Sequence, residues 1–334
     1  TKSTPKKDGL GTTETTYRHV VTGFGAIDAA SDGGSVKYVV NVEAGGTLDL
    51  KGGMITTAAN LGNNGHVIYS EGTVKIEGGY VTNGNDGGWG GGLCMATGSL
   101  NMTGGVIAAN KAASGGGIFA DSGVTLNLSG GVISGNATYA NEINNGDNTD
   151  SGGYGGGVYT KGATVTISGS ACITNNRADA RITSNHYNNG LLGGGGIAST
   201  HGGKLTMTDG SVTANYSHEA GGGIYAGFWN QAITFKMTGG TIAGNESVNA
   251  EGGGLRISTG TTGVIEAASA SNKVYITNNK TMTGGTTGRG GDWGGGGVFV
   301  QTDGTLNLRA ALITKNEAGG WGGGIGACPT VQTI

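Results

Sequence analysis

Asp147, Asp150, Asp179 and His186 are the residues in this sequence best suited to moving protons, because carboxylates and imidazoles titrate within reach of neutral pH. Asp147 and Asp150 lie in the run Asn144-Asn145-Gly146-Asp147-Asn148-Thr149-Asp150-Ser151-Gly152, just after Glu142. Asp179 and His186 share a second run with Arg177, Arg181 and Tyr187, the densest mixture of titratable groups in the chain. An active site, if the chain has one, belongs to these two runs; a solvated polar loop has the same composition. The alternating Asp, Asn and Thr oxygens of the first run are hard ligands of the kind Ca2+ takes, which makes Asp147 and Asp150 its candidates. The twelve-residue calcium loop and its closing Glu are absent, so a metal-free polar turn is the plainer reading and no cofactor is expected.

Aromatic side chains form two columns. Trp89, Tyr154, Trp293 and Trp321 stand directly before glycine runs, while Phe119, Tyr159, Tyr225 and Phe299 stand one residue beyond the apolar residue that follows them. By alternation with Ile118 and Ala120, the second column points away from the core. Exposed rings on a flat sheet can stack on sugars, which makes Trp89, Tyr154, Tyr187, Trp293, Phe119, Tyr159, Tyr225 and Phe299 ligand-binding candidates. The same rings could equally pack on each other along a ladder. Cys94, Cys172 and Cys328 are odd in number and far apart, which fits free, partly buried thiols better than a disulfide scaffold or metal cluster.

The elements that must position these residues follow from a repeat. Gly-Gly-Gly-apolar tetrads end at Leu93, Ile118, Val158, Ile197, Ile224, Leu255, Val298 and Ile325, at intervals of 25, 40, 39, 27, 31, 43 and 27 residues. Most tetrads are followed by an apolar-x-apolar triplet such as Leu100-Asn101-Met102 or Leu126-Asn127-Leu128. Next come a glycine turn and an apolar residue three positions before an asparagine, as in Ile107/Asn110, Ile133/Asn136, Ile173/Asn176 and Ile313/Asn316. Two looser coils precede these, around Leu48-Asp49-Leu50 and Val74-Lys75-Ile76. Period-two alternation means strands with one buried face. Strands this short, separated by tight turns, must pair with their counterparts in the next coil. The expected fold is therefore all-β: a right-handed parallel β-helix of three sheets and nine to ten coils. Residues 1–44 lack the repeat and read as an N-terminal linker and capping segment, and residues 45–334 as the β-helix, truncated or continued at its C-terminus. The asparagine column reads as a structural stack in a turn.

The repeats Gly-Gly-Gly-Ile-Phe-Ala (115–120) and Gly-Gly-Gly-Ile-Tyr-Ala (221–226), with their downstream Gly-Gly-x-Ile-x-x-Asn, resemble those of bacterial β-helix surface proteins. These are adhesin-like proteins and polymorphic outer-membrane passenger domains of the pectate-lyase-like superfamily. The resemblance covers about residues 45–328, and it implies attachment or display at the cell surface. The Asp-Asp pair, Gly-His-Gly and Arg-x-Lys of polygalacturonase-like members are absent.

Composition narrows the function classes. A net charge of −3, from 19 basic and 22 acidic residues without a basic stripe, argues against nucleic acid. No apolar run is long enough to insert in a membrane, and Thr1 opens no visible signal peptide, so the sequence reads as a mature or excised piece. Three segments, 137–154, 177–193 and 280–293, lengthen the same corner of different coils, and solenoids often bind through such insertions. The leading expectation is an extracellular, surface-displayed binding or structural protein. Its partners would be glycans or components of a host or neighbouring cell surface, contacted along the loop-bearing edge. A carbohydrate-active enzyme of the same fold is the alternative, and a subunit that associates end to end into filaments is the next.

Overall fold

The computed structural model of the protein describes residues 18–21, 26–28, 38–57, 65–143, 152–182, 192–228, 231–282 and 294–328. All strand pairs within its three large sheets are parallel, each joining a segment to its counterpart one coil on, as in a parallel β-helix. The glycine-led sheet has ten strands, running from Tyr38–Val42 through Ile118–Ala120 to Ile325–Ala327. The short sheet has eight, from Asn85–Trp89 to Glu317–Ala318. The wide sheet has 18, because each coil contributes both its apolar-x-apolar segment and the segment before the asparagine. Glycines with positive φ, such as Gly105 (72°) and Gly131 (79°), fold it into two faces. Each coil thus has four arms where the alternation showed three; the two-residue arms of the short sheet, such as Ala137–Thr138, are too brief to show a period.

Strands also precede residue 45. Arg18–Val21 pairs with Thr47–Leu50, Ala26–Asp28 with Met54–Thr56, and Tyr38–Val42 with His66–Ser70. The coil register therefore extends back into the segment read as a linker and cap.

The core is a narrow column of aliphatic side chains, one layer per coil. Leu100 and Met102 sit over Leu126 and Leu128, which sit over Val165 and Ile167, all at most 1% exposed. Within each glycine triplet the three positions do different work. The first bends the chain at positive φ, as at Gly115 (64°) and Gly221 (60°). The other two lie against the next coil: a Cβ on Gly117 would meet the Gly157 carbonyl oxygen at 2.6 Å and the Asn136 amide at 3.0 Å.

That amide belongs to a ladder that runs through Asn110, Asn136, Asn176, Asn215, Asn245, Asn279 and Asn316. The Nδ2 of each donates to the Oδ1 of the next at 2.9–3.0 Å, and the backbone N–H donates to the same oxygen. The remaining Nδ2 hydrogen goes to a carbonyl of the preceding coil, as from Asn136 to Ile107 and from Asn176 to Ile133. Buried amides are costly unless bonded. Here each one supplies its neighbours, so the asparagine column is structural, as its spacing implied.

Candidate functional site

A second buried cluster lies outside the glycine-led sheet, between its outer face and the chain that leaves the short sheet. Phe119, Tyr159, Ala198 and Tyr225 occupy successive rungs of that face. Tyr154, Ala180, Ile182, Leu192, Ala220 and Phe228 cover them. Ring centroids stand 5.2 Å apart for Tyr154 and Tyr159, 5.5 Å for Phe119 and Tyr159, and 5.7 Å for Tyr154 and Phe228.

This corrects the expected exposure of the aromatic column. Phe119, Tyr159, Tyr225 and Phe299 do point away from the aliphatic core, but they are 2%, 1%, 0% and 6% exposed. Tyr154 is 3% exposed and belongs to the cover itself. None of these five offers a ring face to a sugar. Trp89 is half-buried, lying 5.0 Å from Phe119, with the Lys161 ammonium 5.1 Å from its own centroid.

The second cluster holds roots of the first two insertions, through Tyr154, Ala180, Ile182 and Leu192. Glu142–Ile143 pairs with Arg181–Ile182, so the first two insertions start out side by side. Glu219, 1% exposed, fastens this pair to the next coil: its Oε1 accepts the Ile182 N–H at 2.9 Å and the Asn249 amide at 3.4 Å, with His218 Nδ1 at 3.2 Å. One coil further, Glu251 and Arg256 are both 4% exposed, with Oε2 and Nε 3.5 Å apart. Arg256 also donates to Ser258 Oγ at 2.7 Å and Gln301 Oε1 at 2.9 Å, and lies 5.2 Å from the Tyr225 ring centroid. Burial pushes the Glu251 carboxyl up against the opposing pull of Arg256. Two carboxylates on neighbouring coils are thus near each other, but both are sealed from a substrate.

Of the residues picked for proton chemistry, Asp179 is described, and its carboxylate is engaged by Arg177 at 2.9 Å. Arg177 in turn lies 4.1 Å from the Tyr216 ring centroid. Glu142 is exposed on its strand. Asp147, Asp150, His186, Tyr187 and Trp293 lie outside the described residues, so the calcium expectation at Asp147 and Asp150 also falls outside them. Among the described residues no group of three or more His, Cys, Asp or Glu is arranged to hold a metal. The three cysteines are free thiols.

Some partly buried chemistry was not foreseen. Along the outer row of the short sheet Asn85 pairs with Lys111, and Tyr139 reaches back to donate its hydroxyl to Asn85 Oδ1 while Lys111 lies 4.8 Å from its ring centroid. On the first coils Tyr38, His66 and Tyr69 form a group of nearly parallel rings, with centroids 4.9–6.1 Å apart. Both groups depend on inter-coil register, and Tyr38 falls in the segment without a visible repeat.

No family model, curated protein or solved structure matches this chain.

Proposed function

We propose that this protein is an extracellular, surface-displayed binding module. In this reading the coil stack is a rigid spacer, and the edge bearing the insertions contacts glycans or other surface polymers. The observation that supports it is the second buried cluster. The aliphatic column and the asparagine ladder already join every coil to its neighbours. Tyr154, Tyr159, Tyr225, Phe228 and Glu219 add a further packed layer that anchors the insertion roots. Binding surfaces gain affinity when their supports are held in place beforehand. Half-buried Trp89, Tyr139 and Tyr216 lie along or beside this edge with Lys161, Lys111 and Arg177 against their rings, a mixture suited to polar, ring-shaped ligands.

A glycan and polysaccharide array tests the reading, comparing the wild-type chain with one in which residues 183–190 are replaced by a Gly-Ser linker. Binding by the wild type that the replacement weakens supports it. Absence of binding to every glycan and surface polymer sinks it.

A further inference from the structure

The outer row of the glycine-led sheet begins before the layer that covers it. Tyr69 pairs with Cys94 and Cys94 with Phe119, so these rungs continue the row of rings buried further along. Tyr154, Leu192 and Phe228 cover the later rungs. At the first rungs Tyr38 and Tyr69 remain half-buried, and His66 keeps 12% of its side chain exposed.

His66 is held in one orientation. Its Nδ1 lies 3.0 Å from the Gly90 carbonyl oxygen and 3.4 Å from Asp86 Oδ2. A carbonyl only accepts, so Nδ1 carries the proton and Nε2 is left as the acceptor of the neutral ring. Nε2 has no hydrogen-bond partner among the described residues. Asp86 is fully buried and neither of its oxygens has a hydrogen-bond donor among the described residues, so it acts on His66 by charge. Burial outweighs Asp86 and Gly90 and keeps the imidazole below its usual range, so it is neutral at neutral pH. The charged and titratable groups around this patch are Glu71 beside Tyr69, Asp121 and Asp86 beside Cys94, and Tyr139 near Asp86, with the Lys111 ammonium 4.8 Å from the Tyr139 ring centroid.

We propose that Tyr38, Tyr69 and His66 form a platform for a neutral pyranose unit, the rings taking its C–H face and His66 Nε2 accepting one of its hydroxyls. Asp86 is a positioning residue. The platform rests on the glycan reading above and adds a contact away from the insertion edge. Glu71, Asp86 and Asp121, the acidic residues nearest the rings, disfavour uronates and other anionic sugars.

Affinity electrophoresis of the full chain tests this, through gels containing dextran, mixed-linkage β-glucan, galactomannan, polygalacturonate or alginate. A neutral polymer should retard the wild type. Tyr69→Ala and His66→Ala should each weaken retardation about tenfold, the size of one lost ring contact or hydrogen bond. Tyr69→Phe keeps the ring and should retain it. Affinity should fall on acidification as Nε2 gains a proton. In Asp86→Asn, which removes the charge favouring imidazolium, that loss should move to lower pH. Unaltered retardation of folded Tyr69→Ala and His66→Ala overturns the platform and leaves the glycan reading standing. Retardation by the acidic polymers alone overturns the ligand class. If no polymer retards the wild type, both fall. Imidazole 15N shifts that place the His66 proton on Nε2 overturn the platform without reference to any ligand.

Discussion

Asn176 shows how much one side chain can hold in this fold. Its Oδ1 accepts both the backbone N–H and the Nδ2 of Asn136, and its own Nδ2 donates to Ile133 and Asn215. Asn176→Ala should orphan several buried groups at once and cost about 3 kcal/mol in chemical denaturation, each unpaired group contributing about 1–3. Exposed Asn127→Ala, which loses one bond to Asn101, should cost less than about 1 kcal/mol. Cys94 gives a second prediction at this scale. Burial, with Asp86 and Asp121 behind it, pushes its thiol up to about 12. Because the shift is upward, the thiol stays protonated at mildly alkaline pH, and only thiolate reacts quickly. Native protein treated with iodoacetamide at about pH 8 should be labelled at half-buried Cys172 and Cys328 well before Cys94, as peptide mapping would show. The asparagines were legible because they recur at a fixed offset from an apolar residue. The Glu219 and Glu251 neighbourhood was not, because it exists only in the register of the two coils, in which Gly221 N–H bonds to Glu251 O.

The glycine triplet is the element that sets how closely coils approach. Gly117→Ala would place a Cβ 2.6 Å from the Gly157 oxygen, so coils must separate or the Asn136 amide must shift. Overpacking of this kind should cost about 1–3 kcal/mol. A Cβ at Gly123 meets nothing within 4 Å, and although its φ of 81° strains most side chains, Asn tolerates that region. Gly123→Asn should therefore leave thermal stability nearly unchanged, and comparing the two melting curves checks the contrast. The triplets announced this element plainly. The outward direction of Phe119, Tyr159 and Tyr225 was equally legible from alternation. Their burial was not, since the layer that covers them comes from Tyr154, Leu192 and Phe228, in or just past stretches of unequal length that carry no period. A repeat reports the contacts made by every coil and is silent about those made by two or three.

The whole molecule is close to one-dimensional, because each coil touches mainly the coils before and after it. Leu93 and Ile118 are direct partners on adjacent rungs, so removing residues 94–118 excises one coil and joins equivalent positions. The shortened protein should fold with an unchanged far-ultraviolet circular dichroism spectrum and unfold at a somewhat lower temperature. Aggregation of that variant, or loss of its β signal, would mean that coils near the N-terminus depend on more than their neighbours.

The asparagine ladder has an electrical consequence as well. Every amide from Asn110 to Asn279 hands a hydrogen to the next one along, so their C=O groups share one direction. Aligned dipoles add, as they do along a helix, and each polarises its neighbour. The column therefore carries a partial negative charge near Asn110, where Gly84 donates its N–H to Oδ1, and a partial positive one near Asn316. A solenoid built from near-identical coils thus acquires an electrical direction in its interior, negative toward the Gly84 coil and positive toward the Asn316 coil.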